Sequence, residues 1–192
     1  MNKTLSRRDV LKVAPAAALM LLAPSFSFAA GAGGRTLVLY FSHSGNTRRI
    51  AEMVHQRVGG DLVELKTVKP YPKDYNTVVD QAKAEQNAGF RPEIATRLDN
   101  LADYDTVFIG YPSWWGTLPM AFFTLLEQYD MGEKTIAPFT THEGSRFGSS
   151  LSDLKRLCPR AKILDGFETR GSRAGSAQKD VDAWLRKIGV TR

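Results

Sequence analysis

Cysteine is almost absent from this chain of 192 residues: Cys158 stands alone. No intramolecular disulfide can therefore form, and no cysteine metal cluster can be built. Absent too is a stripe of Lys and Arg with aromatics between them, the footprint of a nucleic-acid-binding face. The formal charge is +6, but Lys3, Arg7, Arg8 and Lys12 against Asp9 carry three of those charges. The rest of the chain holds 22 basic and 19 acidic residues, a scattered net +3. The apolar run Val13–Ala23 falls short of the roughly 20 residues that span a bilayer, so no stable membrane span is expected. No P-loop lysine is present, and Gly31, Gly33 and Gly34 precede the first strand, where a dinucleotide fingerprint cannot work. What remains, 43% hydrophobic and 24% charged, is the composition of one globular domain with its own core.

The first 30 residues read as an address. A basic front end leads into Val13–Ala23, and small residues follow around Ser27-Phe28-Ala29-Ala30, a pattern for signal-peptidase cleavage after Ala29 or Ala30. Within the front end, Ser6-Arg7-Arg8-Asp9-Val10-Leu11-Lys12 resembles the twin-arginine export signal, with Val10 in the usual phenylalanine position. Residues 1–29 are accordingly expected to be a signal peptide, 30–35 a flexible lead-in and 36–192 the folded domain. The resemblance implies recognition by the twin-arginine machinery through Arg7 and Arg8, and a periplasmic or secreted protein exported already folded.

From Arg35 onward short β-rich runs alternate with helical stretches. Thr36–Phe41 is continuously apolar, as in a parallel strand covered on both faces. Asn46–Val58 carries Ile50, Met53, Val54 and Val58 at helical spacing and stops at Gly59-Gly60. Further strands are expected at Asp61–Thr67, Thr106–Tyr111, Lys134–Thr140 and Ala161–Leu164. Further helices are expected at Met120–Tyr129, Ser150–Cys158 and Ala177–Ile188. The irregular stretch Val68–Ala102 contains a helix over Asn76–Ala88, read as a lengthened crossover packed near the ligand edge. Cys158, after Leu154 and Leu157 on an amphipathic helix, is expected to be a buried apolar residue. The alternation predicts a doubly wound open parallel sheet.

In such a sheet ligands bind beyond the carboxyl ends of the strands, and three loops there have unusual compositions. The first, Ser42-His43-Ser44-Gly45-Asn46-Thr47, offers hydroxyls at Ser42, Ser44 and Thr47, close backbone approach at Gly45, and unpaired N–H groups at a helix start, where an anion is favoured. Four or five charge-assisted hydrogen bonds of roughly 1.5–3 kcal/mol each match the ~12 kcal/mol scale of a nanomolar complex, although such terms do not simply add. His43 is placed by its backbone, and its ring is given no role. The second loop contains Pro112, Ser113, Trp114, Trp115 and Gly116; an indole there can stack on a planar ring, and Pro and Gly stiffen the turn. The third contains Thr140, Thr141, His142, Gly144 and Ser145, donors suited to the polar edge of such a ring. No catalytic acid–base pair and no metal ligands are assigned.

Together these motifs resemble the flavodoxin-like FMN-binding family: S-x-S-G-N-T after the first strand, P-x-W-W-G-T after the third and T-x-x-G-S after the fourth. The segments P-Y-P-x-D-Y and S-S-L-x-D-L-K-x-L-C-P look like a bacterial single-domain subgroup, and the likeness covers Arg35 to Val190. It implies a three-layer α/β/α fold around a five-stranded parallel sheet in the order 2-1-3-4-5. It further implies non-covalent FMN, with the phosphate in the first loop and the isoalloxazine between the second and third. The expected function is electron transfer through that FMN to a redox partner protein or a small quinone-like acceptor. An FMN-dependent NAD(P)H:quinone-type oxidoreductase is one alternative, and a flavin-binding module without turnover is another. Two features depart from the family's electron carriers: they are strongly acidic and this chain is not, and this chain carries an export signal.

Overall fold

The computed structural model describes residues 35–191. The expected signal peptide, with Arg7 and Arg8, and residues 30–34 of the lead-in lie outside the described residues. Strands β1 (Arg35–Tyr40), β2 (Asp61–Glu64), β3 (Tyr104–Pro112), β4 (Thr135–His142) and β5 (Lys162–Ile163) lie in the order β2-β1-β3-β4-β5, all parallel. The sheet order matches the expectation. Helices α1 (Asn46–Val58), α2 (Tyr75–Ala88), α3 (Met120–Gln128), α4 (Ser150–Leu157) and α5 (Gln178–Lys187) cover its two faces.

The fifth sheet position holds more than the expected strand. It holds β5 and then a sixth strand, β6 (Phe167–Arg170), whose residues pair with Phe139–His142 of β4 in parallel. Only Phe167 and Thr169 of this short segment turn inward, while Glu168 and Arg170 alternate outward. So brief an alternation next to Gly166 carries little periodic signal. It nevertheless extends the sheet to the carboxyl end of β4.

Continuous apolar strands are explained by the two cores they separate. Leu37, Leu39, Val107, Ile109 and Tyr111 pack with α3 and α4 on one face. Val38, Tyr40, Phe108 and Phe139 pack with α1, α5 and Trp184 on the other. Ile50, Ala51 and Val54 form the buried stripe of α1, at the spacing that keeps one helix face inward. Cys158 is buried at the end of α4, and burial pushes its thiol up to about 11. Among the described residues no helix is long and apolar enough to cross a membrane. No group of three or more His, Cys, Asp or Glu among them is placed to hold a metal ion.

Candidate functional site

The carboxyl ends of β1, β3 and β4 open into a cleft of about 520 Å³, within the ~300–1,000 Å³ range of small-molecule sites. Its first wall begins at the turn from β1 into α1. Gly45 precedes the helix at φ +88°, and a Cβ there would meet nothing within 4 Å. Backbone conformation, not space, is what calls for glycine. The Ser42 hydroxyl accepts the N–H groups of Gly45 and Arg48 at 3.1 and 3.2 Å. The N–H groups of Ser44, Asn46 and Thr47 have no acceptor among the described residues. Those at the helix start also carry the positive end of the α1 dipole.

Three contacts stitch the loops together. Thr47 and Thr141, both buried, share a hydroxyl–hydroxyl hydrogen bond of 2.8 Å. The Ser113 N–H donates to the Thr141 carbonyl at 2.8 Å. The Ser145 hydroxyl donates to the Ser113 hydroxyl at 2.9 Å. The sheet thus brings three segments, far apart in the chain, to one rim.

Of the residues singled out in the sequence, His43, Ser44, Asn46, Pro112, Ser113, Trp114, Trp115, Thr141, His142, Gly144 and Ser145 line the cleft. The others stand behind it. Ser42 caps its own turn and lines a second, smaller cleft of about 350 Å³ beside β2. Gly45 shapes the helix start, and Thr47 is spent on Thr141. Thr140 is fully buried and donates to the Tyr111 carbonyl at 2.9 Å. Gly116 accepts the Ser149 N–H through its carbonyl at 2.7 Å, tying the tryptophan loop to the start of α4. A Cβ on Gly148 would lie 2.1 Å from that same carbonyl oxygen.

Two rings have roles that the sequence left open. The His43 Nε2–H donates to the Pro72 carbonyl at 2.7 Å, joining the first loop to the segment before α2. His142 is not an exposed loop residue: it is the buried last residue of β4. Its Nδ1 accepts the Gly144 N–H at 2.9 Å, and its Nε2 faces the Glu168 carboxylate.

The adjacent tryptophans also part company. Trp114 is half-buried, edge-on to Phe41 and Tyr71 with ring centroids 5.3 and 5.0 Å apart. Behind it the Tyr71 hydroxyl donates to Glu85 at 2.6 Å; burial, and then that carboxylate, raise the phenol far above its ordinary range. Trp115 is 50% exposed with φ +50°, a left-handed backbone that only strong local constraints sustain in a residue with a Cβ. Helix α2 supplies the constraints. The indole N–H donates to the Val79 carbonyl at 3.0 Å, and the Gln86 amide donates to the Trp115 carbonyl at 3.3 Å. Lys83 Nζ sits 4.7 Å from the ring centre, a cation–π distance.

Sequence reasoning missed the α2 face of the cleft, made of Tyr75, Val78, Val79 and Ala82, together with Glu143 and Gly171. The spacing i, i+3, i+4, i+7 was visible, but a stripe facing a ligand and a stripe facing a core have the same period. The expected packing of this helix near the ligand edge is observed. Tyr75, 71% exposed at the first turn, is the residue that a core reading cannot use.

Comparison with known proteins locates this architecture. A family model described as Flavodoxin matches residues 35–188. A Bacteroides eggerthii crystal structure assigned as a flavoprotein is 35% identical, covers 83% of this chain and 100% of its own, and superposes with TM-score 0.71. A Bacteroides uniformis counterpart is 31% identical, with 80% and 99% coverage and TM-score 0.71. A Lactobacillus acidophilus flavoprotein solved in complex with FMN is 27% identical, with 79% and 99% coverage and TM-score 0.63. No curated protein sequence matches the chain.

Proposed function

The chain belongs to the flavodoxin family, and on that premise we propose that it is a redox protein that holds FMN in the cleft at the carboxyl ends of β1, β3 and β4. One observation carries the reading. The N–H groups of Ser44, Asn46 and Thr47, without acceptors among the described residues, meet the tryptophan loop and the β4 loop in a single stitched cleft. The FMN bound by the Lactobacillus relative supports the choice of ligand.

The donor set fits the group. A phosphate asks for several N–H donors and favours a helix start, which Ser44, Asn46 and Thr47 supply. A planar tricyclic ring asks for aromatic and apolar neighbours on one side and polar partners on its pyrimidine edge. Trp114 and Trp115 supply the first; Thr141, Ser145 and the backbone of the β4 loop supply the second. Ser42, Gly45, Thr140, Gly116 and the Thr47 hydroxyl act behind these donors, holding loop backbones in place. When bound, FMN supplies electron or hydride transfer, while the protein sets access and electronics. The chain's own part is to bind, orient and partly shield.

The test uses the purified full chain. Bound or added FMN should give a visible flavin spectrum and quench tryptophan emission at one equivalent. A colourless protein that takes up no FMN sinks the reading. Turnover of NAD(P)H with a quinone then separates enzyme from carrier, since a carrier is slow without its reductase. A protein that binds FMN but exchanges no electrons with any reductant would be a flavin-binding module.

The proposal extends to location. The Ser6–Lys12 motif supports export of the folded, loaded protein by the twin-arginine route to the periplasm or beyond. Changing Arg7 and Arg8 together to lysine should leave the protein in the cytoplasm. Unimpaired secretion of that variant would assign it to the general secretory route.

A further inference from the structure

Strand β6 does more than extend the sheet. It brings Glu168 and Arg170 beside the loop that follows β4, and three contacts fasten that loop from one edge. Arg170 Nη1 donates to the Glu143 carbonyl at 2.9 Å. Arg146 Nε lies 3.8 Å from one Glu168 oxygen. The other Glu168 oxygen faces His142 Nε2, and His142 Nδ1 accepts the Gly144 N–H at 2.9 Å.

The imidazole is the pivot of this arrangement. With a side chain only 4% exposed, it bonds to the backbone two residues ahead, as an Asn or Asp side chain does in an Asx turn. A ring nitrogen that accepts cannot carry hydrogen, so the neutral ring holds its proton on Nε2. There the carboxylate of Glu168 accepts it. One carboxylate thus selects the tautomer, and the tautomer supplies the acceptor that fixes Gly144.

We propose that Glu168 and His142 form a latch that sets the conformation of Glu143–Ser145 and so the tightness of the cleft. Both are positioning residues: Glu168 acts through His142, and His142 acts through the Gly144 N–H. The consequence for ligand affinity rests on the FMN reading above; the latch itself does not.

The full chain without FMN tests the latch directly. Nitrogen-15 NMR should report the Nε2–H tautomer of His142, and hydrogen exchange should show the Gly144 amide protected. His142→Leu keeps an apolar filler but removes the acceptor. It should speed Gly144 exchange about tenfold, and weaken FMN binding roughly three- to tenfold, the scale of one hydrogen bond. His142→Asn restores an acceptor at the Asx position and should recover most of both losses. Glu168→Ala, at a position whose side chain is 31% exposed, should mix the tautomers without unfolding the protein, as circular dichroism would report. An Asn variant no better than Leu, or a Gly144 amide indifferent to all three changes, overturns the proposal. Should no variant, nor the parent, bind FMN while Gly144 behaves as described, the latch stands and the cofactor reading falls.

Discussion

The two walls of the cleft are built from different parts of the chain and by different forces. On one side stand Ser44, Asn46, Thr141, His142, Gly144 and Ser145, all within a few residues of a strand end. Its residues from β4 and the loop after it are held by short polar bonds to Thr47, to Ser113, to one another and to β6. On the other stand Tyr75, Val78, Val79, Ala82 and Trp115, four of them on the long crossover helix α2. That wall is held by apolar burial, by Asp74 capping the helix at the Thr77 N–H, and by two hydrogen bonds gripping Trp115. The polar wall is a property of a parallel sheet, whose strand ends always point loops at the same rim. The apolar wall is a property of this chain, which spends 39 residues, 65–103, between β2 and β3.

The largest effect is expected where the two walls share a fastening. Gly148→Ala pushes a Cβ into the Gly116 carbonyl at a residue with φ +51°. Overpacking and left-handed strain together should cost roughly 2–4 kcal/mol, measured as a lower urea midpoint with an unchanged slope. A wild-type midpoint would mean that the tryptophan loop does not depend on the start of α4.

Gly45→Val strikes the polar wall alone. The cost is purely conformational, since space around Gly45 is open, and the strained helix start should weaken FMN binding at least about tenfold, or about 1.4 kcal/mol. Titration of tryptophan quenching measures it. Equal affinity in the variant would remove the first loop from the phosphate's partners.

Trp115 probes the apolar wall. Trp115→Ala loses the bond to Val79 but keeps the left-handed backbone, whereas Trp115→Gly loses the bond and relieves the strain. The Gly variant should be more stable than the Ala variant by about 1 kcal/mol, and both should speed amide exchange in α2. If the order were reversed, Trp115 would not be strained in solution.

Cys158, buried just after the last residue of α4, lines neither wall and serves as a control. Its thiol is raised by burial to about 11 in the folded protein, so the unfolded chain ionises first as pH rises. The contribution is fully present below about pH 9 and is lost between pH 9 and about 11. Removing the thiol with Cys158→Ala should lessen the alkaline loss by roughly 1 kcal/mol or less at pH 9.5, without changing FMN affinity.

How much of this could be read from residues alone differs by element. The limits of α1, Asn46–Val58, followed directly from the spacing of Ile50 and Val54 and from the Gly59-Gly60 stop, because helix and breaker are both local signals. The loops after β1, β3 and β4 were legible for the same reason: Gly45 and the serines announce a tight turn onto a helix. Trp114 and Trp115 were not separable. Their neighbours in sequence are the same; only the fold sets one against Phe41 and Tyr71 and pins the other, strained, on α2. Glu168 was invisible as a site residue, because its importance comes from pairing across to His142 on β4.

Residue pattern alone specifies a parallel α/β sheet, the three loops at its carboxyl edge and an anion-favouring turn at Ser42–Thr47. Period, turn chemistry and helix capping are local, and they act before any distant contact exists. Long-range packing sets which residues of those loops face the cleft, closes its far side with α2, and latches His142 from β6. Those outcomes depend on contacts between segments up to about a hundred residues apart, as in Thr47 with Thr141, and no local pattern encodes a partner at that distance.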